Sequence, residues 1–101
     1  MKSLEKAEDF NIDSGLVAVK FTAKWCGPCR KQQPTIEKIE QEFKNVQFIS
    51  IDIDEVPDFN SKYKVKSIPL LILFKDGVEK KRIVGMTLLD FLRTAFKDFV
   101  K

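Results

Sequence analysis

Apolar and polar residues alternate from Leu16 to Thr22, with Val17, Val19 and Phe21 on one face, a pattern that predicts a strand buried on at least one side. From Cys29 to Phe43 the period changes. Cys29, Ile36, Ile39 and Phe43 fall on one side at helical spacing, with charges elsewhere. Pro34 lies inside that helix and predicts a kink, because proline has no N–H and its ring crowds the preceding turn. Val46 to Ile53 returns to strand periodicity, and strand–helix–strand in this order implies a right-handed parallel crossover. Asp54 to Tyr63, with Pro57 near its start, predicts a short helix, and Leu70 to Phe74 is a continuous apolar strand. Lys75-Asp76-Gly77 signals a hairpin turn into Val78 to Val84 as an antiparallel partner. Thr87-Leu88-Leu89-Asp90 reads as a capping box opening a last helix, whose apolar stripe runs through Leu88, Leu92, Ala95 and Phe99.

These elements sum to an α/β protein with a central mixed sheet of four to five strands and helices on both faces. The segment before Leu16 is less regular. Ser3 is placed to cap a helix over Leu4 to Phe10, which leaves the first strand shortened or absent. One hundred and one residues suit a single domain, 1–101, with a real core. At 44% hydrophobic residues, nine of them Phe, that core needs no disulfide staples, so the two cysteines read as chemical rather than structural.

The chain contains no histidine, and two thiols alone do not complete a four-coordinate zinc site, so no metal is expected. The first ten residues are charged and lack an apolar run of signal-peptide length, and nothing approaches the roughly 20 apolar residues of a membrane span. The expectation is a cytoplasmic protein, where a lone Cys-x-x-Cys is catalytic rather than a permanent cross-link. A net charge of +3 is spread among 18 basic and 15 acidic residues, a mixed solvated surface without the patch that nucleic acid needs.

The two cysteines stand in Trp25-Cys26-Gly27-Pro28-Cys29, between the first long strand and the first long helix. A pair at this spacing closes into a disulfide and reopens without rebuilding the fold. The first sulfur lies at a helix start, where backbone N–H groups and the dipole favour a thiolate. A thiolate is the form that attacks disulfides, so the motif predicts a dithiol–disulfide oxidoreductase.

The stretch Phe21-Thr22-Ala23-Lys24-Trp25-Cys26-Gly27-Pro28-Cys29 resembles the active-site signature of the thioredoxin family. The resemblance continues through Pro34, Ile68-Pro69 before an apolar strand, Phe74-Lys75-Asp76-Gly77 at the hairpin and Val84-Gly85 after it. It implies the thioredoxin fold and a protein-disulfide reductase, with Cys26 the exposed attacking thiol and Cys29 the buried resolving one. Gly27 and Pro28 serve the loop and the helix start, and also set the stability of the reduced pair. In this family Gly-Pro goes with a reducing potential of about −270 mV, against about −120 mV for a strong periplasmic oxidant. The resemblance further implies a cis bond at Pro69, presenting the backbone of Ile68 to an extended substrate like an added strand. Trp25, Ile68, Val84, Gly85 and Met86 would surround the disulfide as a shallow apolar docking surface. For Trp25 a second reading stands beside this one, a partly buried structural aromatic.

Two departures from the family stand out. Thioredoxins usually carry a buried Asp where this chain has Lys20, faced by a Lys where this chain has Ser50. The Asp is thought to shuttle a proton to and from the resolving cysteine. Three readings of Lys20 compete: its stem follows apolar surface and its ammonium reaches water; it stays charged beneath the motif and lowers the thiol pKa; or burial makes it neutral and a proton acceptor. The second departure is the near-absent first strand.

The resemblance implies a thioredoxin reductase, using NADPH through a flavin, as electron donor, and protein disulfides as substrates. It implies no bound cofactor beyond the Cys26–Cys29 redox-active disulfide and a place in electron transport and cell redox homeostasis. The expectation is also a monomer, since no large apolar stripe remains once the core is assigned, and the charge pattern and hydropathy above give no nucleic-acid or membrane partner. The alternatives are a non-catalytic thioredoxin-like subunit of a larger assembly and a more oxidising disulfide oxidase or isomerase.

Overall fold

The computed structural model describes residues 2–4 and 11–101. Along the chain these form β1 (Lys2–Leu4), β2 (Leu16–Thr22), α1 (Gly27–Glu42), β3 (Val46–Asp52), α2 (Asp58–Lys62), β4 (Leu70–Lys75), β5 (Val78–Val84) and α3 (Leu89–Phe99). The strands make one five-stranded sheet in the order β1-β3-β2-β4-β5. β1 and β2 both run parallel to β3, whereas β4 is antiparallel to β2 and to β5. The mixed sheet expected from the sequence is present, with a first strand of three residues. Ser3 and Leu4 belong to that strand rather than to a helix start, and the remainder of the expected helix, 5–10, lies outside the described residues.

The period-2 alternation in β2 sorts the core into two layers. Ala18 joins Ile36 and Ile39 of α1, Phe48 of β3, and Leu92, Phe96 and Phe99 of α3 on one face of the sheet. Val17, Val19 and Phe21 face the other way and pack with Ile49, Ile51, Ile72 and Phe59 of α2. Phe96 anchors the first layer, stacked on Phe48 with ring centroids 5.6 Å apart and meeting Phe43 at 5.4 Å. On the surface of that layer Arg93 donates Nε and Nη2 to the two oxygens of Glu42, at 2.8 and 2.7 Å, joining α3 to the end of α1. This fork holds the Glu42 carboxyl below its usual range.

The hairpin forms as predicted. Asp76 and Gly77 occupy the left-handed region with φ of 50° and 85°, as a two-residue turn between right-twisted strands requires. Asp76 also exchanges hydrogen bonds with Gly15, donating its N–H to the Gly15 carbonyl at 2.9 Å and accepting the Gly15 N–H on Oδ1 at 2.8 Å. The capping box does not form. Leu88 is the N-cap of α3 and no side chain caps the helix, because Thr87 is committed elsewhere: its hydroxyl donates to the Gly85 carbonyl at 3.3 Å and its backbone pairs with Gln32.

Candidate active site

Strand β2 ends at Thr22, and the chain turns through Ala23, whose carbonyl accepts the Cys26 N–H at 3.1 Å. Cys26 is the N-cap of α1, with an extended backbone, and its Sγ accepts the N–H of Cys29 at 3.2 Å. A sulfur thus does the work that a serine or aspartate oxygen does at most helix starts. Pro28 sits in the opening positions of α1, where its missing N–H leaves nothing unpaired. Pro34 lies within α1, which continues past it to Glu42. Cys26 and Cys29 are joined in a disulfide with Cα atoms 5.3 Å apart.

The resemblance implied an exposed Cys26 beside a buried Cys29. In the disulfide state both are 3% exposed. The bonded pair packs with Ala23 against the partly buried Ile53 and Ile68. Position, not exposure, therefore distinguishes the two: Cys26 caps the helix and Cys29 lies inside its first turn.

The opposite wall comes from β4, the antiparallel neighbour of β2. Phe21 pairs with Leu70, so the peptide preceding Leu70 is delivered beside the cysteine motif. That peptide is Ile68-Pro69, and it is cis. Leu70 in turn pairs with Val84, and the Gly85 N–H donates to the Pro69 carbonyl at 2.8 Å. Gly85 adopts φ +82°, a conformation that a side chain would strain. Val84, Met86 and Trp25 are exposed around this loop. Trp25 is 66% exposed, and its indole Nε1 donates to Asp54 Oδ2 at 2.8 Å, which fixes the ring.

Gln32 is the residue that sequence reasoning passed over. It is the one buried polar side chain among the described residues, and it holds Thr87 from both sides: Nε2 donates to the Thr87 carbonyl at 3.0 Å and Oε1 accepts the Thr87 N–H at 2.9 Å. The helix that carries the cysteines is thereby tied to the loop that carries Gly85 and Met86. A signal was present, since Gln32 interrupts the stripe Cys29, Ile36, Ile39 at a position where α1 is buried.

Lys20 lies on the α1 face of β2, registered with Ser50 on one side and Leu71 on the other. It lines a small, partly open cavity shared with Cys29, Gln32, Leu71 and Ile83. Its ammonium donates to Gln33 Oε1 on α1. Burial pushes the Lys20 pKa below its ordinary value, against the smaller opposing pull of Glu37 and Glu40.

The thioredoxin family profile matches residues 4–98. The chain belongs to the thioredoxin family. It is 46% identical over 94 residues to thioredoxin of Chlamydia pneumoniae, spanning 91% of this chain and 92% of that one. It is likewise 46% identical over 88 residues to thioredoxin of Chlamydia caviae, spanning 85% and 86%. The X-ray structure of Fasciola hepatica thioredoxin superposes with a TM-score of 0.88 at 34% identity, over 98% of this chain and 99% of that one. With the family goes the chemistry of the Cys26–Cys29 pair: this thioredoxin-family protein is a thiol–disulfide oxidoreductase, a protein-disulfide reductase acting by dithiol–disulfide exchange.

Proposed function

We propose that Cys26 is the nucleophile and Cys29 the resolving thiol of a reductase cycle in two exchanges. The Cys26 thiolate attacks one sulfur of a protein disulfide, the substrate's other sulfur leaves as a thiolate, and a mixed disulfide results. Cys29 then loses its proton and attacks Cys26 Sγ, which closes Cys26–Cys29 and releases the second substrate sulfur. Two electrons and two protons pass to the substrate. The observation that carries this assignment is the Cys29 N–H directed at Cys26 Sγ at the start of α1, which favours negative charge on that sulfur.

Gly27 and Pro28 hold the turn between the two sulfurs. Trp25, Ile68, Pro69, Val84, Gly85 and Met86 form the substrate-binding rim, with the Ile68 backbone pairing an extended substrate segment. Lys20 stands in for the usual Asp and tunes proton exchange at Cys29 through the cavity they share. The chain acts as a single thioredoxin domain and a monomer in the cytoplasm, without a bound cofactor and apart from membranes and nucleic acid. A flavin-containing thioredoxin reductase recharges it from NADPH, which makes it a carrier in electron transport and redox homeostasis.

The test is a reduction potential measured in defined thiol buffers through Trp25 fluorescence, together with two variants. A potential near −270 mV, the family's reference value, is the expected result, and one well above about −220 mV would overturn the reductase direction. Cys26→Ser should abolish protein-disulfide reduction, whereas Cys29→Ser should accumulate a mixed disulfide through Cys26. Trapping through the other sulfur would reverse the roles.

A further inference from the structure

Beside the cis-Pro loop, between residues 62–67 and strand β5, runs a groove of about 670 Å³. Four cations line it, Lys62, Lys64, Lys66 and Arg82, against one carboxylate, Glu79. One end reaches Ser67 and Val84, the chain neighbours of Ile68 and Gly85. The groove is therefore continuous with the rim around the disulfide.

Its walls are fixed. Arg82 donates Nε and Nη2 to the two oxygens of Glu79, each at 3.0 Å, and Nη1 to the Lys64 carbonyl at 3.2 Å. That last bond secures a backbone in the left-handed region, Lys64 having a φ of 53°. Arg82 also consumes the charge of Glu79, whose carboxyl it holds below the usual range. Lys62 stands over the rings of Phe59 and Tyr63, 5.8 and 5.4 Å from their centroids. Lys64 and Lys66 are exposed and take part in no salt bridge among the described residues. Lys64 adds a smaller attraction to Glu79, and the groove, with four cations against one carboxylate, is poised for a negatively charged occupant.

We propose that this groove receives an acidic segment of the substrate polypeptide, a few residues from the disulfide under attack, and so selects among disulfide substrates. The inference rests on the reductase reading above. A chain lying extended against Ile68 passes Ser67 and Val84 as it leaves the site, which brings its next residues to Lys64 and Lys66. A polypeptide fits better than a single-stranded nucleic acid. The aromatic ring in the groove, Tyr63, is partly buried beneath Lys62 and gives no open platform for stacked bases.

The test compares two disulfide peptides of equal length, one flanked by Asp and Glu and one by Ser and Gln, with the wild-type protein and with Lys64→Glu/Lys66→Glu. The wild type should reduce the acidic peptide with a kcat/KM about tenfold higher at low salt, and the advantage should fall away at about 0.5 M salt. The double variant should lose or invert that preference while reducing the neutral peptide as the wild type does. Equal rates on both peptides, or an unchanged preference in the variant, would overturn the proposal. A separate titration of backbone amide NMR shifts uses the acidic peptide with its cysteines replaced by serine. Shifts at Lys64 to Ser67 that the neutral peptide does not cause support the groove even if neither peptide is reduced, a result that would instead remove the reductase reading. Tighter binding there of a short oligothymidylate than of the acidic peptide would overturn the choice of partner.

Discussion

Lys20 occupies a place on β2 where the neighbouring position on the same face, Ala18, is given wholly to apolar packing. It manages this by leaning on Gln33 and by drawing on Glu37 and Glu40, yet burial still dominates and lowers its pKa. The sign of the linkage follows. A lysine held below its ordinary 10.5 penalises the fold while it is charged, and stability rises as pH climbs through the folded value toward 10.5. Lys20→Met should accordingly stabilise the protein at pH 7 by on the order of 1 kcal/mol, once the nearby carboxylates and partial solvation are credited. That gain should shrink as urea titrations are repeated toward pH 10.5; a gain independent of pH would show that packing, not charge, is responsible. Gln32 is the opposite case, a buried polar residue with both groups satisfied. Gln32→Leu leaves the Thr87 N–H and carbonyl without those partners and should cost about 2–3 kcal/mol in chemical denaturation. None of the contacts of Lys20, Gln32 or Trp25 was legible beforehand, because Gln33, Thr87 and Asp54 become neighbours only through the fold.

Elements were far easier to read than caps. The alternation of Val17, Val19 and Phe21, the apolar run Leu70 to Phe74 and the Lys75-Asp76-Gly77 turn each reported a local period or a local φ requirement, and each element appears where that signal lies. The capping box failed because its signal is two residue types at a spacing, and Thr87 had a stronger claim on it from α1. Helix α3 consequently begins at Leu88, an N-cap with no side-chain hydrogen bond and 82% exposed. Leu88→Asp supplies an acceptor and a negative charge at the helix start without removing core packing, and should stabilise by about 1 kcal/mol. A shift of the urea midpoint to higher concentration at constant slope is the expected observation. The three-residue β1 was only half anticipated, since parallel pairing with β3 depends on a strand more than 40 residues away rather than on its own sequence.

For the whole molecule, the antiparallel pairing with β4 on one edge and the parallel pairing with β3 on the other put β2 at the centre of the sheet, and the site follows from that placement. Cysteine motif and cis-Pro loop arrive from hydrogen-bonded neighbours, so the pairing of Phe21 with Leu70 positions both. The same antiparallel register pairs Leu16 with Lys75 at the far end of β2, next to the Asp76–Gly77 turn and its bonds to Gly15. Six residues of strand, about 20 Å, separate that end from the cysteines. The molecule thus has two poles with different vulnerabilities. Damage at the hairpin pole weakens folding and is felt in a cell as a smaller amount of protein, each surviving copy keeping its electron affinity. Damage to the cysteines or to the exposed rim around them leaves the amount intact and changes what each copy can reduce. Gln32 alone among the residues discussed belongs to both groups, and other inherited variants of this chain should sort by pole into losses of abundance and losses of chemistry.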